Sequence, residues 1–308
     1  SDLTEYVNQN LFTKENTKLL LSFIIKNCFI FNDNEIYLAQ ESCENFYLCF
    51  TEYSYFYEIK SISGNLCSLI YTIFRKKYSD IFQFYENNLI SLTLKENQLL
   101  QLSKSLSGEE LNFKCALLLF FYYLEEYFSL NLSKNSEFFE NIFLAQIDEE
   151  IIIKKGKEIF SSFIIIKILS KILSPNFGKK YLKNKIFEKI LKIFFSEKIK
   201  ETLIELACFD LLNEYIESES ISFSNKKEKQ KNIFPEFFFQ NYLIKISVMI
   251  NKISSPELHS RILETTNNII NIMDKTELNL DFKIIIPFLE LIWVNKYKGD
   301  NNFIEQKN

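Results

Sequence analysis

"SSPELHSRILETTNNIINIMDK", Ser254 to Lys275, decides the fold class, because its pattern recurs along most of the chain. Ser254 or Ser255 is placed to cap the first free amides, Pro256 suits the first helical position, and Glu257 faces the positive helix end. Leu258, Ile262, Thr266, Ile269 and Met273 then recur every three or four residues on one side. Glu257, Arg261, Glu264, Asn268 and Asn271 lie away from that stripe.

The same period predicts helices near 15–30, 34–51, 61–76, 78–93, 109–129, 136–146, 150–173, 179–195, 198–217, 236–253, 256–273 and 281–295. Short punctuation separates them: "NDN" at 32–34, Gly64, "SGEE" at 107–110, "SPNFG" at 174–178 and "SSP" at 254–256. One long polar stretch, "ESESISFSNKKEKQKN" at 217–232, reads as an exposed inter-helix loop between helical repeats 1–216 and 233–308. Only 5 glycines and 4 prolines in 308 residues are too few for the many special turns of sandwiches, barrels or doubly wound sheets. The expectation is an all-α chain: an α-solenoid of about six antiparallel helix pairs, HEAT- or armadillo-like, with a helical bundle as the other arrangement.

Composition bounds function as well. With 47% hydrophobic and 25% charged residues the chain has the balance of a folded protein. A formal charge of −4 gives no global attraction to nucleic acid. "SDLTEYVNQN" has neither the basic nor the apolar region of a signal peptide, and the apolar run Ile159–Leu173 is short and carries Lys167 and Lys171. A buried helix, with no membrane insertion, and residence in cytoplasm or nucleus are therefore expected. The six cysteines are scattered without a CxxC pair and read as reduced, buried small hydrophobes.

Catalytic parts are scarce. His259 is the only histidine, so His-based zinc sites and Cys–His nucleophiles cannot be assembled from conventional parts. It reads as a surface or boundary residue. No glycine-rich phosphate cradle occurs. The adjacent carboxylates Glu109–Glu110, Glu125–Glu126 and Asp148–Glu149–Glu150 diverge on helices and read as solvated faces. No enzymatic activity, no cofactor and no metal are expected.

Two charge clusters are candidate partner surfaces. Lys179, Lys180, Lys183, Lys185, Lys189 and Lys192, with Lys198 and Lys200, flank an apolar stripe of Leu182, Ile186, Ile190 and Ile193. Lys226, Lys227, Lys229 and Lys231 lie in the polar stretch. They fit an acidic protein, a phosphoinositide or an RNA backbone; the plainer reading is solubility, since lysine supplies nearly all the positive charge and only Arg75 and Arg261 are arginines. Asp210, Glu214, Glu217 and Glu219 could face a basic cargo or plain solvent.

One resemblance emerges from order and spacing. "LLLSFIIKNCFIFNDNEIYLAQESCENFY" (19–47) has the layout of an aliphatic helix, a short acidic stretch and a motif at Glu41–Phe46. Tyr55-Phe56-Tyr57-Glu58-Ile59-Lys60 follows, similar to a W-x-Y-x-I-R run with Tyr for Trp and Lys for Arg. "KGKEIFSSFIIIKILSKIL" (155–173), "EFFFQNYLIKISVMINKI" (236–253) and "IIIPFLELIW" (284–293) come in matching order. In these features the chain resembles nuclear transport receptors of the importin-β superfamily (karyopherins), nearest the importin eleven branch, over roughly 15–295. The resemblance implies a central block of a longer HEAT array that grips protein cargo on its concave face under Ran-GTP control. It also implies that the aromatics of "YFYEIK" are buried between repeats. Without it, a HEAT-type scaffold subunit of a larger complex, or a lysine-driven lipid or RNA binder, fits the same residues.

Overall fold

The computed structural model describes residues 12–51, 58–124, 127, 139–155, 159–173, 180–224 and 238–272. Every regular element among them is helical. In chain order they are α1 (Lys14–Phe23, continued by a π turn Ile24–Cys28), α2 (Asp33–Glu41), α3 (Cys43–Thr51), α4 (Glu58–Phe74), α5 (Ser79–Gln101) and α6 (Gly108–Tyr123). A π turn (Glu140–Leu144) and a 3₁₀ turn (Ala145–Ile147) lead into α7 (Glu149–Lys155), followed by α8 (Phe160–Leu173), α9 (Lys180–Phe194), α10 (Thr202–Ser224), α11 (Phe238–Lys252) and α12 (Pro256–Ile272). The expected helix at 281–295 lies outside the described residues.

The helix boundaries follow local chemistry. Asn32 and Ser107 open α2 and α6 with full capping boxes, Asn32 with Glu35 and Ser107 with Glu110. The single helix expected at 34–51 is instead two. Ser42 (φ −145°, ψ 63°) donates its amide to the Leu38 carbonyl at 2.8 Å, closing α2, and accepts from Asn45 Nδ2 at 2.7 Å as α3 begins. A serine hydroxyl offers bonds that compete with the helix ladder, and here it divides the helix. Within the helix expected at 150–173, α7 covers Glu149–Lys155 and α8 Phe160–Leu173, and residues 156–158 lie outside the described ones. α5 runs on to Gln101, beyond the expected 93, and stops where Ser103 takes φ 54° and Lys104 N reaches the Leu99 carbonyl at 2.8 Å. That C-terminal geometry ordinarily announces itself by glycine. α10 extends to Ser224, well into the polar stretch that was expected to be a loop; residues 225–237 lie outside the described ones.

The chain divides into two compact units, Ser1–Leu212 and Asn213–Asn308. In the first, α6 is the central helix. Residues Lys114 to Phe121 are all buried, more than two turns without a solvent face, against α4, α5, α8 and the π turn after α1. α8 is nearly as enclosed, with Lys167 and Lys171 on its one accessible line. Aromatic rings fill this core: Phe46 and Phe50 pack edge-on to Phe163 with centroids 5.9 and 4.9 Å apart, and Phe29 stacks on Tyr123 at 5.6 Å. α1 is tied to the α4–α5 corner by Tyr78 Oη donating to the Phe12 carbonyl at 2.8 Å and by Lys14–Asp80 at 2.7 Å.

Two ion pairs are buried within this unit. Lys114 meets Glu96 at 2.6 Å, joining α6 to α5, with both side chains essentially inaccessible. Lys60 meets Glu35 at 2.6 Å, and the same carboxylate accepts the Asn32 amide at 2.8 Å. Such pairs add little net stability over apolar packing but penalise any arrangement that separates them.

In the second unit α11 and α12 form an antiparallel pair. Tyr242 Oη and Thr266 Oγ1 lie 3.0 Å apart, and at the turn His259 Nε2 lies 2.9 Å from the Ile253 carbonyl. Ser255 Oγ accepts the Leu258 amide at 3.4 Å, so Ser255 is the capping serine. The predicted stripe of Leu258, Ile262, Thr266 and Ile269 is buried; Met273 lies outside the described residues. Both units are helical as expected, and the α11–α12 hairpin is one antiparallel pair. Unit 1, by contrast, is organised around α6, whose middle two turns are enclosed.

Candidate protein-interaction surface

The lysine cluster is the first candidate. Lys179 lies outside the described residues, and Lys180 opens α9. Lys183 is buried. Lys185 pairs with Glu140 at 2.6 Å, and Lys189 with Asp148 at 2.6 Å and the Leu144 carbonyl at 3.0 Å. Lys198 approaches Glu149 at 3.7 Å, while Lys192 and Lys200 are exposed. Glu140 and Asp148 of the acidic segment 140–149 thus pair with two of the lysines of α9. Mixed charge of this kind ties neighbouring elements together and makes a weak field for a distant anion.

The acidic group lies along α10. Asp210 pairs with Lys167 at 2.5 Å across α10 and α8, with the same ammonium 5.6 Å from the Tyr47 ring. Glu214 is half-buried in the second unit, and Glu217 and Glu219 belong to α10. Lys226, Lys227, Lys229 and Lys231 lie outside the described residues.

His259 has a structural position. Its Nε2 lies 3.2 and 2.9 Å from the Ile250 and Ile253 carbonyls, where a donated N–H satisfies carbonyls at the end of α11. Burial pushes the Cys67 thiol up strongly, with Cys28 adding to the shift, and burial followed by Glu44 raises Cys43. Neither has the depressed pKa of a reactive cysteine. Among the described residues no group of three or more His, Cys, Asp or Glu could hold a metal ion, and no helix is long and apolar enough to cross a membrane.

The strongest surface feature is on α4, which is apolar on two faces. Its inner face, with Gly64, Cys67, Ile70, Tyr71 and Phe74, is buried against α6 and its neighbours. Gly64, expected as a break, lies inside this helix for a different reason. A Cβ there would stand 2.2 Å from Cγ of Tyr123, so only glycine lets α4 approach α6 so closely. The outer face carries Ile59, Ile62, Leu69 and Ile73, which are 66, 61, 56 and 53% exposed, with Leu66 half-buried between them. Ile59 belongs to the run whose aromatics were expected to pack between repeats; those aromatics, Tyr55, Phe56 and Tyr57, lie outside the described residues.

The spacing of these five residues is three-four-three-four, so they form one straight stripe about 21 Å long at 1.5 Å per residue. Ser63, Asn65, Ser68 and Thr72 border it without charge. Charge clusters do not point to this surface, and a helix apolar all round reads as wholly buried. The signal present was two interleaved apolar stripes in "EIKSISGNLCSLIYTIF", only one of which a single neighbouring layer can cover.

No family model, no curated protein and no solved structure matches this chain.

Proposed function

We propose that the chain is a non-catalytic, protein-binding scaffold subunit whose partner docks on the outer face of α4. The observation that carries this reading is the exposed Ile59–Ile62–Leu66–Leu69–Ile73 stripe on a helix whose other face is fixed in the core. A contiguous apolar strip bordered by uncharged polar residues is the composition of an interface centre, where burial contributes most and no ion has to be desolvated. Pull-down with the wild-type chain and with Ile62→Glu/Leu69→Glu tests it. A partner retained at fixed stoichiometry by the former and lost by the latter supports the reading; equal retention refutes it.

The second reading is a karyopherin or a segment of one, acting in cytoplasm and nucleus on protein cargo. It is supported by the order of the resemblance motifs along the sequence and by the α11–α12 antiparallel pair, which is the unit that a HEAT array repeats. In that reading the finer architecture is a solenoid whose curvature responds to Ran-GTP, so one partner is exchanged for another through differential affinity for two shapes. Adding Ran in its GTP form to the same pull-down separates the two: the scaffold's partner is indifferent to it, a receptor's cargo is not.

A further inference from the structure

We infer that the outer face of α1, with the turn between α4 and α5, is a second docking surface, and that it rests on a bilayer rich in anionic phospholipid. This face is separate from the α4 stripe, and the two readings are tested independently. Its charges come from parts of the chain that only the fold brings together. Lys14 pairs with Asp80 at 2.7 Å, the Lys18 ammonium lies 5.2 Å over the Phe84 ring, and Tyr85 Oη donates to the Lys18 carbonyl at 3.4 Å. These contacts lay α1 alongside the first turns of α5, with the two helices running the same way. The Phe12 ring stacks on Phe74 at 5.4 Å, which sets the turn of Arg75, Lys76 and Lys77 beside the start of α1.

Lys14, Lys18, Lys26, Arg75, Lys76 and Lys77 thus lie along α1 or beside its start. Against these cations stand two carboxylates, Glu15 and the Lys14-bound Asp80, in a chain whose formal charge is −4. On the adjoining α5, Gln83, Asn87 and Asn88 carry no charge, and Glu86 is turned to Tyr127 Oη at 2.7 Å. Lys185 and Lys189 of α9, by contrast, each meet a carboxylate. Among the α1 cations stand Leu19, Phe23 and Phe84, which are 68, 60 and 47% exposed, with Lys18 and Lys26 bracketing the first two. Large apolar side chains bordered by lysine suit a helix lying in a lipid interface. Leucine and phenylalanine enter the headgroup boundary while the ammonium groups meet lipid phosphate. The centre of a protein interface excludes charge, as the α4 stripe does. A nucleic acid needs open aromatic faces for its bases, but Tyr71 and Tyr78 are buried, with Arg75 and Lys77 over their rings at 5.8 and 5.1 Å. The contact is peripheral, since the inner face of α1, with Thr17 and Leu21, stays packed in unit 1.

The test is co-sedimentation of the whole chain with vesicles of phosphatidylcholine alone and with vesicles containing about 30% phosphatidylserine. Lys76→Ala/Lys77→Ala, Leu19→Ser/Phe23→Ser and, as a control, Lys192→Ala/Lys200→Ala on α9 are compared with the wild type. All these side chains are exposed, so the melting temperature is expected to hold; the lysine pairs carry the test if the Leu19/Phe23 variant does not fold. The wild type is expected to pellet with the anionic vesicles only, and less so at high salt. A lysine near such a surface is worth about fivefold in partition, so the Lys76/Lys77 variant is expected to lose at least about tenfold. The folded Leu19/Phe23 variant is expected to lose a similar factor, and the α9 control to bind as wild type does. A wild type that pellets with neither vesicle, full binding by either of the first two variants, or an equal loss in the α9 control would each overturn the inference. So would a single-stranded oligonucleotide that the wild type binds in preference to anionic vesicles. A chain that ignores vesicles yet still loses its partner with Ile62→Glu/Leu69→Glu overturns this inference and leaves the α4 docking face standing.

Discussion

Replacing Gly64 by alanine probes the contact that orients α4. In an exposed helix interior this change is stabilising by about 0.5–1 kcal/mol, because alanine loses less backbone freedom. Here the added methyl would stand 2.2, 2.3 and 2.5 Å from Cγ, Cδ1 and Cδ2 of Tyr123. These atoms are at the root of the ring, and the ring is stacked on Phe29 at 5.6 Å and lies against Tyr122 at 5.2 Å, so it cannot swing aside. α4 and α6 must separate by about an ångström, and overpacking of that kind costs roughly 1–3 kcal/mol before the helix gain is subtracted. A net loss of about 1–2 kcal/mol is expected in urea unfolding followed by far-UV circular dichroism. In a Tyr123→Leu background the obstruction is gone, and Gly64→Ala is expected to be neutral or stabilising by up to about 1 kcal/mol. The coupling in this double-mutant cycle is then about 2 kcal/mol. If Gly64→Ala stabilises the wild type, the two helices do not meet at this point and the outward stripe loses its basis.

Three further outcomes follow from the same packing. Lys114→Met leaves Glu96 buried without its ammonium and is expected to cost about 3–5 kcal/mol; Lys114→Met/Glu96→Leu should recover most of that loss in the same denaturation assay. Burial holds the Cys67 thiol and the Tyr85, Tyr123 and Tyr127 phenols protonated, with Tyr85 pushed up to about 12 and the Glu86 carboxylate adding to the shift at Tyr127. Because these folded pKa values are raised, their contribution is complete below the unfolded values of 9.0 and 10.0 and is lost as pH climbs above them. Each group ionised only in the unfolded chain removes about 1.4 kcal/mol per pH unit, so a thermal melt series should fall steeply above about pH 10; a flat profile would contradict this burial. His259→Ala strips the end of α11 of its donor and should destabilise by about 1 kcal/mol, whereas His259→Gln, whose amide nitrogen reaches the position of Nε2, should restore part of it.

The helical class and the α12 stripe were legible because one buried face leaves a 3.6-residue signature, and Leu258, Ile262, Thr266 and Ile269 show it plainly. Ser42 and Ser103 were not legible as breaks. Serine is tolerated within helices, and only the local bonds it makes here decide against continuation. The candidate site was harder still. Charge runs stand out in a sequence, but the lysines of α9 meet carboxylates some forty residues away, at Glu140 and Asp148, and that neutralisation is a tertiary fact. The α4 stripe was hidden for the opposite reason. Residues buried in the core and residues offered to a partner have the same chemistry, and only packing tells Ile70 from Leu69.

The most direct test of α4 as the partner-binding face is site-specific photocrosslinking in living cells, with a benzophenone side chain placed at position 69 and, separately, at position 192. A discrete covalent adduct of fixed mass is expected from position 69, abolished by Ile62→Glu, and none from position 192. An adduct from position 192 with silence at position 69 would contradict it, and would return the lysine face of α9 as the surface that meets a partner.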